Sequence, residues 1–106
     1  MKMKYDDDEL DRIFFALSDR TRRALLEKLS ECDSSVSDLA EPHEMSLQAV
    51  MKHISILAEA GLISVEKTGR IKKCHFEPEH LASASSWVTY YQKYWETQLK
   101  GLEDYL

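Results

Sequence analysis

The stretch from Ser46 to Phe76 constrains this chain more tightly than any other. Ser46 is a residue type that caps helices, and Val50, Ile54 and Leu57 follow at the spacing of one buried helical face, which predicts a helix over 47–60. Gly61 supplies the left-handed stop. Residues 62–67 then alternate as a strand with Ile63 and Val65 on one side. Thr68-Gly69-Arg70 reads as a tight turn, and 71–76 returns as a second strand. Few architectures accommodate a helix that runs straight into a hairpin with cations at its tip.

The preceding chain reads as three more helices. Leu10, Ile13, Phe14 and Leu17 share one face, and Asp6, Asp7, Asp8 and Glu9 put negative charge where the helix dipole favours it. Ser18 is the expected cap of a second helix over 19–30, with Ala24, Leu25 and Leu29 buried and Arg20, Arg22 and Arg23 facing outward. Ser35-Val36-Ser37-Asp38 has the form of a capping box, opening a short third helix that buries Leu39 and Ala40 before Pro42. Pro78 opens a last long helix reaching the C-terminus. With room for one core, the chain is expected to be mainly α with a small β-hairpin, in the order α-α-α-α-β-β-α. That order is a single winged helix-turn-helix domain over 1–106, with the helix-turn-helix at 35–60, the wing at 62–76 and a C-terminal helix at 78–106.

A net charge of −5 argues against a nucleic-acid partner until its distribution is considered. Between Ser46 and Phe76, Lys52, Lys67, Arg70, Lys72 and Lys73 stand against only Glu59 and Glu66, a net +3 that leaves −8 for the rest of the chain. Salt screens charges beyond about 8–10 Å, so the local balance governs contact with phosphate. No run of about 18 apolar residues is present to span a membrane. The N-terminus lacks an apolar signal core, and two cysteines are too few for a disulfide scaffold, which together fit the cytoplasm.

With its apolar face buried, the helix over 47–60 turns Gln48, Ala49, Met51, Lys52 and Ser55 outward. A helix of this size fits the major groove, where Gln suits adenine and Lys suits guanine or phosphate. Ser46 and the free amides beside it suit a phosphate. In the wing, Lys67, Arg70, Lys72 and Lys73 cluster round the turn, and Arg70 at the tip suits a minor groove. These features predict a sequence-specific regulator that binds double-stranded DNA. The rival reading is a protein–protein interaction module without specific DNA binding. The negative net charge and Met51 favour it, but a protein-docking wing should carry apolar or acidic residues where this one carries cations. The last helix holds Trp87, Tyr91, Tyr94, Trp95 and Leu102, more apolar area than one small core covers, which predicts a homodimer.

The segment S-V-S-D-L-A-(x5)-S-L-Q-A-V-M-K-H-I-S-I-L-A-E-A-G-L-I, from Ser35 to Ile63, resembles the arsenic-repressor (ArsR) family of winged helix-turn-helix regulators. So does F-A-L-S-D-R-T-R-R-A-L-L, from Phe15 to Leu26, and the likeness covers nearly the whole chain. The aromatic last helix resembles a metal-independent branch. The resemblance implies a homodimeric repressor joined through the first and last helices, with Leu10 and Phe14 in the interface, presenting two recognition helices to an operator with two half-sites. His53 matches the family's Lys-His pair and is expected either to bond a phosphate or to tie its helix to a neighbour. Family members carry Gln, then Ser or Pro, where this chain has Leu47 and Gln48, and Ser where Met51 stands. Both departures fall on the groove-facing side.

Metal-binding relatives use Cys-x-Cys-like ligands in the third helix or Asp/His pairs on the last. Here the third helix has no cysteine, the last has only His80, and Cys32, Cys74, His43 and His75 lack the spacing of a tetrahedral site. No metal or cofactor is expected, and no residue pattern specifies an effector, small molecule or protein. Cys32 and Cys74 are expected to be inert buried thiols, with a redox switch as the alternative because Lys72 and Lys73 adjoin Cys74. No phosphate-cradling glycine motif or nucleophile–base arrangement occurs, so no enzyme is expected.

Overall fold

A computed structural model describes residues 6–105, apart from the side chains of 99 and 101–105. Helix α1 (Asp7–Leu17) is capped by Asp6, whose carboxylate accepts from the amide of Asp8 at 2.8 Å, and it buries Leu10, Ile13 and Ala16. Helix α2 (Arg20–Glu31) corrects the expected cap. Asp19, not Ser18, accepts from the amide of Arg22 at 3.1 Å, while the Ser18 hydroxyl donates to the Phe15 carbonyl and closes α1. The buried stripe of α2 is also corrected: it is Arg22, Leu25, Leu26 and Leu29, and Ala24 is exposed.

A two-residue strand, β1 (Ser34–Ser35), precedes helix α3 (Val36–Ala40), which Ser35 caps by accepting from the amide of Asp38. Helix α4 (Leu47–Glu59) starts at Ser46, whose hydroxyl oxygen accepts from the amide of Ala49 at 3.1 Å, and buries Val50, Ile54 and Leu57. Gly61 follows at φ +75°, and the His80 ring packs against it so closely that a Cβ would lie 2.8 Å from its Cδ2. Strands β2 (Ile63–Thr68) and β3 (Ile71–Phe76) pair from Ile63↔Phe76 to Thr68↔Ile71. The turn is therefore the two residues Gly69-Arg70, with Gly69 at φ +62°.

Two elements depart from the expected order. β1 adds a third strand, pairing Ser34↔Cys74 and Ser35↔Lys73, so the sheet runs β1-β3-β2. Two residues are too short to show a period, so no pattern announces this strand. The last helix is not continuous either. A 3₁₀ turn, Pro78–His80, leads into α5 (Leu81–Tyr90), and α6 (Gln92–Tyr105) follows after Tyr91. Tyr91 N–H donates to the Val88 carbonyl and Tyr94 N–H to the Tyr91 carbonyl, tight three-residue bonds that interrupt the helical ladder without proline or glycine.

The core joins all four N-terminal helices to the sheet. Ile13, Leu25, Leu39, Ile54, Leu57, Leu62 and Cys74 are completely or almost completely buried. Burying that side of α4 leaves its opposite side to solvent. Among the described residues no helix is long and apolar enough to cross a membrane.

Candidate nucleic-acid interface

The sheet aims the wing. β1 lies immediately before α3, so its pairing with β3 ties the hairpin to the helix pair. His75 of β3 reinforces the joint: its Nδ1 lies 2.7 Å from Asp33 Oδ2 and its Nε2 3.2 Å from Glu66 Oε2. The hydrogen bond to Asp33 foremost, and then the charges of Asp33 and Glu66, raise the pKa of this imidazole against the opposing effect of desolvation. Both ring nitrogens face carboxylates, an arrangement satisfied fully only when both carry protons.

Between the start of α4 and the wing lies an open cleft of ≈ 760 Å³, lined by residues 33–38, Leu47, Met51 and residues 70–73. Ser46, Gln48, Lys52 and Ser55 are exposed on α4, as expected. Ala49 and Met51 are corrected: both are half-buried, Met51 because it packs against the edge of the core. Leu47, absent from the expected contact set, is 51% exposed at the first position of the helix. In the wing Lys67, Arg70, Lys72 and Lys73 are all exposed. Lys67 stands directly opposite Lys72, a like-charge pairing that weakens a hairpin and concentrates positive potential at its tip. Lys73 stands opposite Glu66.

Arg22, expected outside, is buried. Its Nε donates to the Ala16 carbonyl at 2.7 Å, its Nη2 to the Phe15 carbonyl at 2.9 Å, and its Nη1 to His53 Nδ1 at 3.1 Å. Guanidinium only donates, so His53 Nδ1 accepts and the ring is neutral, with its proton on Nε2. The Asp19 carboxylate, 3.9 Å from that nitrogen, is thus a neighbour and not an ion-pair partner. Of the two roles open to His53, the structure shows the tie to a neighbouring helix. The pKa of Asp19 is lowered chiefly by the hydrogen bond from the Arg22 amide.

The aromatic residues form a row across α1, α5 and α6. Phe14 meets Trp87 edge-on at 5.5 Å, Trp87 lies 4.9 Å from Tyr91, and Tyr91 lies 6.2 Å from Tyr94. Phe14, Trp87, Tyr94 and Trp95 are exposed. Leu10, expected in an interface, is instead buried in its own core, because α5 packs over α1. The Leu102 side chain lies outside the described residues. Cys74 is buried, which raises its thiol pKa, whereas Cys32, expected to be buried, is exposed at the end of α2.

A helix pair whose second helix borders one cleft with a basic hairpin defines a winged helix-turn-helix DNA-binding protein. Residues 17–66 match a family model described as a helix-turn-helix domain. The chain is 34% identical over 86 residues to the HTH-type transcriptional regulator YuzN of Bacillus subtilis, covering 74% of this chain and 94% of that one. It is 29% identical to the transcriptional repressor SdpR of the same organism, over 74% of this chain and 88% of SdpR. A crystallised ArsR family transcriptional regulator is 40% identical, with a TM-score of 0.83 over 89% of this chain and 97% of its own. The chain belongs to the ArsR family and is a DNA-binding transcriptional regulator.

Proposed function

We propose that the chain is a homodimeric repressor of the metal-independent branch, reading double-stranded operator DNA through α4 and the wing. The observation that supports this reading is the cleft between the start of α4, at Leu47 and Met51, and the wing cations Arg70, Lys72 and Lys73, with Gln48 and Lys52 exposed on the same helix. Gln48, Lys52 and Ser55 meet bases or phosphates from the exposed side of α4, with the half-buried Met51 at the edge of the cleft and Ala49 and His53 behind them. Ser46 holds a phosphate, while Lys67, Arg70, Lys72 and Lys73 follow the backbone. Repression is supported by the likeness to SdpR, a named repressor.

Dimerisation through α1 and the α5–α6 pair is supported by the aromatic row and by shape. The radius of gyration is 17.1 Å, against about 13 Å for a compact domain of this length, so the C-terminal helices extend beyond their own core. The metal-independent branch is supported by the aromatic last helix, which resembles that branch.

The test is fluorescence anisotropy with duplex DNA from the region upstream of the protein's own coding sequence, across a salt series. Binding that exceeds a scrambled duplex and weakens steeply with salt is expected. Weak binding without sequence preference would transfer the cleft to a protein partner.

A further inference from the structure

We propose that Leu47 and Met51 read thymine 5-methyl groups, so that part of the operator's specificity is apolar. The inference rests on α4 being the DNA-reading helix and names what one row of that helix recognises.

Leu47 and Met51 stand one turn apart, beside the polar row of Gln48 and Lys52. Both line the cleft, and facing them from the wing are Arg70, Ile71, Lys72 and Lys73. Ile71 is 60% exposed, so the apolar strip crosses the cleft between cations. Leaving a leucine in water at the first turn of a helix forgoes stabilisation that burial provides. The ligand that covers it must be polyanionic at its rim, to suit the three wing cations, and apolar at discrete points within. Duplex DNA has that chemistry, and in its major groove the thymine methyl is the apolar group presented to a side chain. Leu47 contributes an exposed branched end, and Met51 an adaptable thioether anchored against the core.

The experiment uses the full chain and a pool of random-sequence duplexes. The selected duplex is then remade with each thymine replaced in turn by uracil, which deletes the methyl group and keeps every hydrogen-bonding edge. One or two swaps per half-site should weaken wild-type binding about three- to tenfold each. The same swaps should cost the L47A or M51A protein little more. The slope of affinity against salt should stay unchanged, since no phosphate contact is lost. Leu47 is exposed, so L47A should melt with the wild type. A selected duplex whose uracil versions all bind equally well would overturn methyl reading while leaving α4 a DNA reader. So would a uracil penalty undiminished in both variants. A pool that yields no preferred sequence would overturn the DNA reading itself.

Discussion

Arg22 Nη1 donates to His53 Nδ1 across 3.1 Å, joining two residues 31 positions apart. The same guanidinium occupies the carbonyls of Phe15 and Ala16 at the end of α1, so one buried side chain holds α1, α2 and α4 in a fixed relation. Phe15 lies over it, with its ring centroid 5.1 Å from the guanidinium carbon.

Replacing Arg22 by alanine should therefore destabilise the protein by about 2–4 kcal/mol, since it removes three hydrogen bonds of a buried guanidinium, to the Ala16 and Phe15 carbonyls and to His53. Arg22→Lys should recover little, because one ammonium lacks the forked geometry that reaches two carbonyls of α1 and the His53 ring of α4 together. Urea unfolding measures both. A loss below about 0.5 kcal/mol for the alanine variant would show that water replaces the guanidinium freely.

Gln48→Ala and Arg70→Ala should fail in different ways. The first should cost about 1–3 kcal/mol on the operator and little on unrelated DNA, as loss of a base contact does. The second should weaken binding to every sequence and reduce the salt slope by about one. Anisotropy titrations at several salt concentrations separate the two patterns; identical behaviour would mean that Gln48 reads no base.

Trp87→Glu should shift the protein towards monomer. Trp87 connects Phe14 of α1 to Tyr91 beyond α5, so a carboxylate there interrupts the aromatic row at its middle. Sedimentation equilibrium over a concentration series reports the change, and an unaltered dimer would place the interface elsewhere.

His75 links stability to pH. Its pKa is raised in the folded chain, so its contribution is fully present below the ordinary histidine value of about 6.5 and is lost as pH rises through the raised value. The melting temperature should show a small downward step as pH rises past the ordinary histidine value, small because the site is solvent-exposed, and His75→Gln should remove that step. Parallel pH profiles for the two proteins would show that Asp33 and Glu66 hold the strand regardless of the proton.

Gly61 and Gly69 share a positive φ but not the same surroundings. Gly69→Ala meets open space and should cost about 1–2 kcal/mol from backbone strain alone. Gly61→Ala adds a collision with the His80 ring and should cost about 2–4 kcal/mol. Combining Gly61→Ala with His80→Ala should return part of that loss in urea titrations; no recovery would assign the whole effect to strain.

Most of the fold was legible because its signals are local. Ser35 and Ser46 cap the helices their positions imply, and Gly61 adopts the left-handed stop. The apolar period of α4 selected Val50, Ile54 and Leu57, and the same period left Gln48, Lys52 and Ser55 outside. The wing cations were legible as a cluster for the same reason, being near neighbours along one hairpin.

What was missed depends on contacts between distant segments. An arginine reads as a surface residue until the carbonyl ends of α1 and the ring of His53 are brought to it, which only packing does. Leu10 reads as interface until α5 covers it, and β1 is not a strand at all without Cys74 and Lys73 opposite. The break at Tyr91 follows from how α5 and α6 settle, with no proline or glycine to mark it. Sequence periodicity and capping chemistry thus determined which elements form and which face of α4 is polar, since both act over a few residues. The cleft that joins Leu47 and Met51 to the wing was decided by tertiary structure, because it exists only once the sheet has placed residues 70–73 beside the start of α4.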